Sequence, residues 1–143
     1  MNKKQNAAKK YLSQAFGLNQ RIESKIDQIA ILNDLATKAT VTYSDMPKSP
    51  NKGGSKMEDA IIKIIDLESE INRDMMQLVE LKKDIIRRIK AVDGAELQTI
   101  LELRYLSYMR WEEIAIELGY GIDNVYYLHR KALDQITIPE TLQ

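Results

Sequence analysis

The 143-residue sequence has no cysteine, which excludes disulfides, thiolate metal ligands and thiol nucleophiles. It has a single histidine, tryptophan and phenylalanine. No serine stands in a nucleophile-elbow pattern, and the carboxylates follow helix-surface spacing rather than a convergent pair, so nothing points to an enzyme, a metal site or a cofactor. No apolar run approaches about 18 residues, so no membrane span is expected. The basic start M-N-K-K-Q-N-A-A-K-K is not followed by the apolar core of a signal peptide, and a cytoplasmic protein is the expectation. Only three prolines and six glycines interrupt the chain. They gather around residues 49–55 and at Gly94, Gly119 and Gly121.

Between these breaks run long stretches of Ile, Leu, Lys, Glu and Asp, the usage of an all-α protein. From about Ala7 to Ala39 the spacing predicts a helix, with Ala15, Ile22, Ile29 and Ala36 seven apart. Thr40 to Gly54 reads as a linker, since Pro47 and Pro50 oppose a continuous helix. Ser55 and Glu58 have capping-box spacing and open a second predicted helix that ends near Val92. In it Met57, Ile64, Ile71, Leu78, Ile85 and Val92 recur every seven residues, the pattern of coiled-coil packing. Ile61, Met75 and Ile89 are read as the second seam position, with Glu68 and Lys82 as polar seam residues that either set register or are tolerated at a hairpin edge. Ile65, Leu67, Leu81 and Ile86 lie off that seam and imply a second buried face. The expected architecture is a long antiparallel helical hairpin over residues 1–93, with its loop at 40–55, serving oligomerisation or partner binding.

Residues 94–138 are read as a separate three-helix module, followed by a loose tail at 139–143. Asp93 and Glu96 have capping-box spacing ahead of a helix from Ala95 to Leu106. Trp111 to Leu118 and Ile122 to Ile136 form two further helices broken by Gly119-Tyr120-Gly121. Glycine takes the positive φ of a helix stop and serves as an acceptable N-cap. Ile114, Leu118, Val125 and Leu128 are expected to fill the wedge between the two, with Ala132 and Ile136 further along. That is the layout of a helix-turn-helix, whose second helix offers its polar side to a major groove. Trp111 is expected to anchor the module, and His129 to lie at the surface or an interface.

I-L-E-L-R-Y-L, then W-E-E-I-A-I-E-L-G, then V-Y-Y-L-H-R-K-A-L resembles region 4 of bacterial sigma factors, over about Leu97 to Ile136. A long helical hairpin ahead of such a module resembles the RinA and ArpU-like late-gene activators of Gram-positive phages. The resemblance implies a phage or prophage transcriptional regulator, an activator of late genes, that binds double-stranded promoter DNA, with RNA polymerase as a possible co-binder. The chain is expected to form a homo-oligomer, a dimer, through the long helices.

The DNA-facing residues are expected to be Asp123, Asn124, Tyr126, Tyr127, Arg130 and Lys131. Asp123 can accept from cytosine N4 and Asn124 can pair with adenine. Tyr126 and Tyr127 suit phosphate or a thymine methyl, and Arg130 and Lys131 suit the backbone. Against this stands the charge balance. Residues 1–94 hold 17 basic and 13 acidic side chains, but residues 95–143 hold 4 and 8. Phosphate attraction supplies most non-specific affinity, so the acidic excess favours an alternative. That alternative is a helical adaptor that grips a basic protein surface. A small terminase subunit is a third reading.

Overall fold

The computed structural model describes residues 1–45 and 50–140, with side chains described for 1–38 and 56–140. Every regular element longer than one turn in it is an α-helix: α1 (Lys3–Asp45), α2 (Pro50–Lys90), α3 (Ala95–Tyr105), α4 (Trp111–Leu118) and α5 (Ile122–Asp134). No described helix is long and apolar enough to cross a membrane.

The first two helices are longer than their apolar patterns predict. α1 starts at Lys3 because Asn2 and Gln5 cap it reciprocally. The Gln5 N–H donates to Asn2 Oδ1 at 2.8 Å, and the Asn2 N–H donates to Gln5 Oε1 at 3.0 Å. Helix continues through Asp45, since Thr40 to Asp45 contains no proline or glycine. α2 resumes at Pro50, where a missing N–H is harmless in the first turn. The predicted linker therefore shrinks, and the rest of it, residues 46–49, lies outside the described residues. Ser55 is inside α2 rather than at its N-cap.

The chain divides into two compact units, residues 19–77 and residues 1–18 with 78–143. This differs from a boundary at residue 94, because the ends of the long helices share a core with α3 and α5.

In the unit of residues 19–77, α1 and α2 run antiparallel. Arg21 meets Asp74 at 3.3 Å, and Lys25, one turn further on, meets Glu70 at 3.6 Å, one turn back. The seam on α1 is Ile22, Lys25, Ile29, Leu32 and Ala36, all buried or half-buried. On α2 it is Met57, Ala60, Ile64, Leu67, Ile71 and Asp74. Both rows alternate steps of three and four, the spacing of helices that pack along their length. The heptad row Met57, Ile64, Ile71 is as expected, but its companion row is not. Ile61 and Met75 are 44% and 50% exposed, while Leu67 is buried and Asp74 is 7% exposed. The polar residue on the seam is thus Asp74, not Glu68, which is exposed. Lys25 Nζ donates to it at 2.6 Å. Ile65, expected on a buried face, is 59% exposed.

In the unit of residues 1–18 and 78–143, one cluster joins Ala8, Tyr11, Leu12 and Ala15 of α1 to Ile85, Ile89 and Val92. Leu101, Tyr105, Ala132, Leu133 and Ile136 complete it. Fully buried Leu12, Ile85, Leu101 and Leu133 each contribute roughly 2 kcal/mol by leaving water. The Tyr11 hydroxyl donates to Asp84, which also accepts from Arg88 Nε at 2.6 Å, and Arg88 Nη1 donates to the Thr137 carbonyl at 2.7 Å. Lys82, expected on the hairpin seam, is half-buried with its ammonium 5.0 Å from the Tyr108 ring. α3 is capped by Gly94 at φ 115, a conformation suited to glycine. The expected Asp93 cap is absent. The Asp93 N–H instead donates to Gln135 Oε1 at 2.8 Å, further along the chain.

Candidate nucleic-acid interface

α4 and α5 owe their crossing to three residues. Gly119 ends α4 at φ 72, ψ 31. Its N–H donates to the Ile116 carbonyl at 3.2 Å and the Tyr120 N–H to the Ala115 carbonyl at 3.0 Å. This double closure satisfies carbonyls left free at a helix end. Gly121, extended at φ −69, ψ 153, caps α5, and its carbonyl receives the Val125 N–H at 3.2 Å. The Tyr120 hydroxyl between them donates to Glu96 on α3. At the other end of α4 the Glu113 carboxylate accepts from Arg110 Nε at 2.9 Å and from the Arg110 N–H at 3.3 Å. Those bonds hold the Glu113 carboxyl below its ordinary range.

Ile114, Ala115 and Val125 form the buried wedge, with Leu103, Met109, Trp111, Leu118, Tyr120 and Ile122 packed around it. Leu128, expected there, is only half-buried and stands outside this cluster. The inward face of α5 runs through Val125, His129, Ala132 and Leu133 instead.

His129 is therefore not a surface residue; it is 4% exposed. Its Nε2 lies 2.6 Å from the Tyr105 hydroxyl on α3. Its ring centroid is 4.4 Å from that of Trp111. Burial, with Lys9, Arg104 and Arg130 facing it, pushes the imidazole down to about 3. The ring is neutral at physiological pH and works as a polar core residue. Burial likewise raises the Tyr105 hydroxyl well above its ordinary value. Trp111 anchors α4 as expected, with the Arg104 guanidinium 4.6 Å from its ring and Tyr126 edge-on at 5.6 Å.

The six expected contact residues lie on the outward half of α5. Asp123, Asn124, Arg130 and Lys131 are exposed, and Tyr127 is 52% exposed. Lys131 Nζ sits 5.3 Å from the Tyr127 ring. Tyr126 is at the edge, 36% exposed and leaning on Trp111, so it reaches outward less than Tyr127. Asp123 and Asp134 offset Arg130 and Lys131 in formal charge on this helix. Pattern reading missed Gln5, whose Nε2 donates to Asp134 Oδ1 at 2.8 Å and to the Arg130 carbonyl at 3.3 Å. The Asn2–Gln5 capping spacing was the available signal for an ordered helix start. Nothing local announced the contact with α5. No local pattern announced that the charges of Lys9 and Arg104 act on His129.

No curated protein and no solved structure matches the chain. Residues 40–137 match the family described as protein of unknown function (DUF1492), and the chain belongs to that family.

Proposed function

We propose that this chain is a phage- or prophage-encoded transcriptional regulator that binds promoter DNA through α5. The observation that carries the reading is the free outward side of α5 beyond a glycine corner, with Asp123, Asn124, Tyr127, Arg130 and Lys131 all exposed. A helix held at such a corner by a small core, with its polar side in solvent, has the form that enters a major groove. Asp123 and Asn124 in its first turn have the acceptor and donor groups to read cytosine and adenine. Arg130 and Lys131 neutralise phosphates. With two cations on the helix, intrinsic affinity is modest, and RNA polymerase or a second copy raises it by effective concentration.

The test is a titration of the full chain against duplexes selected from random sequence, at two salt concentrations. Affinity falls as salt rises. Arg130→Ala with Lys131→Ala weakens binding across all duplexes and reduces the salt slope by about 2. Failure to select any duplex refutes the reading.

One observation favours a second reading, a helical adaptor. Ile116 on α4 is 82% exposed, with exposed Glu112, Glu113 and Glu117 on the same short helix. An apolar knob among carboxylates suits a basic protein surface. Under that reading Ile116→Ser abolishes binding to the basic partner, while Arg130→Ala leaves it intact.

A further inference from the structure

α2 carries an apolar flank besides its seam. Within residues 19–77, Ile61, Ile62, Ile65, Met75 and Met76 are 44%, 57%, 59%, 50% and 71% exposed. Their spacing is regular. Ile61, Ile65, Glu68, Asn72 and Met75 alternate steps of four and three, and Ile62, Ile65, Ser69, Asn72 and Met76 alternate three and four. Such spacing keeps residues on one stripe of a helix. Read along α2, the stripe is apolar (Ile61, Ile62, Ile65), then polar (Glu68, Ser69, Asn72), then apolar (Met75, Met76). In sequence Val79 continues it.

The stripe reads alike from either end, about a centre beside Glu70. A two-fold interface needs that self-complementarity, because one patch must fit itself after rotation. Antiparallel pairing brings Ile65 of one copy against Met75 and Met76 of the other. It also sets Glu68 of one copy opposite Asn72 of the other, the mirror position about that centre. Parallel pairing stacks Glu68 on Glu68, which like charge opposes. The area agrees as well. The five side chains expose on the order of 500 Å² of apolar surface, at the upper end of what a monomer leaves uncovered. A standard interface takes about 800 Å² per partner, a little over half of it apolar, or roughly 450 Å².

We propose that a second copy of this chain docks here, α2 against α2 and antiparallel, about a two-fold axis beside Glu70. The resulting dimer is held by Ile65, Met75 and Met76, and its direction is set by keeping Glu68 of one copy away from Glu68 of the other. This assignment is independent of DNA binding by α5, and its test uses no nucleic acid.

The chain has no cysteine, so single introduced cysteines report geometry without background. Light scattering on the full chain gives a dimer of two 16.5 kDa copies at micromolar concentration. Oxidation of a mixture of Ile65→Cys and Met76→Cys chains yields the mixed cross-link, while neither chain cross-links well alone. Ile65→Lys with Met76→Lys, which sets like charges against each other across the pair, weakens dimerisation at least 100-fold with helicity unchanged. A monomer up to 100-fold above that micromolar range overturns the proposal. So does efficient self-cross-linking of Ile65→Cys, which means parallel pairing, and so does a dimer indifferent to the charged pair.

Discussion

Replacing Asp74 by alanine tests whether the hairpin of residues 19–77 is registered by an ion pair on its seam. Asp74 is 7% exposed and takes Lys25 Nζ at 2.6 Å and Arg21 Nη2 at 3.3 Å. Losing one member of a buried pair costs about 3–5 kcal/mol when the stranded charge has no other partner. Lys25, whose side chain is 16% exposed, keeps Glu70 at 3.6 Å and can extend its stem toward water. The expected loss for Asp74→Ala at pH 7 is therefore nearer 2–3 kcal/mol. Replacing Asp74 and Lys25 together by leucine restores an unbroken apolar seam, with stability equal to or about 1 kcal/mol above the natural chain.

The pH dependence follows from the same contact. The Lys25 hydrogen bond holds the Asp74 carboxyl below its ordinary value. A carboxyl lowered by folding stabilises above its unfolded pKa and loses that contribution as pH falls through its folded value. The gap between the natural chain and Asp74→Ala is thus full at pH 7 and shrinks below about pH 4. Urea unfolding followed by helical circular dichroism at both pH values measures it. A gap below 0.5 kcal/mol at pH 7, or one as large at pH 2.5, refutes the reasoning.

Other substitutions probe the α3–α5 region. Gly119→Ala, at φ 72 with open space around it, costs about 1 kcal/mol from backbone strain alone, read as a lowered urea midpoint. His129→Leu strands the Tyr105 hydroxyl and costs about 1–3 kcal/mol, and adding Tyr105→Phe recovers part of the loss. Because burial lowers the His129 imidazole to about 3, its contribution is complete above the unfolded value near 6.5. Between there and pH 3 stability falls by up to about 1.4 kcal/mol per pH unit, and His129→Leu flattens that slope. Gln5→Ala speeds hydrogen exchange in the last turn of α5, which loses its ties at Arg130 and Asp134.

The elements with their own local signals were legible in the sequence. Gly119 and Gly121 bracket α4 and α5 because only particular backbone angles turn that corner, and those angles belong to adjacent residues. The heptad row Met57, Ile64, Ile71 survived for the same reason. Its companion row survived only at Ile89. Three and four residues beyond Met57, Ile64 and Ile71 stand Ala60 and Ile61, Leu67 and Glu68, and Asp74 and Met75, so the apolar choice switches between the two spacings and periodicity does not settle the row. The partner helix decides, and it placed Leu67 and Asp74 inward while leaving Ile61 and Met75 outside. His129 failed differently. A lone imidazole carries a surface expectation, and what buries it is a tyrosine 24 positions away. Of the six residues expected to face DNA, five are exposed on α5, and Tyr126 sits at the edge because its packing on Trp111 is not visible in helical spacing.

The link from Gln5 to Asp134 spans 129 positions of the chain. As the protein leaves the ribosome, Ala8, Leu12 and Ala15 meet Ile85, Ile89 and Val92 first, and their cluster stays open until Leu133 and Ile136 are synthesised. Closure of that cluster is a late, non-local event of the kind that slows folding. A gene fragment encoding α3 to α5 alone would emerge with the sides of Leu101, Tyr105 and Leu133 unclothed, so the two ends of the message have to be kept together.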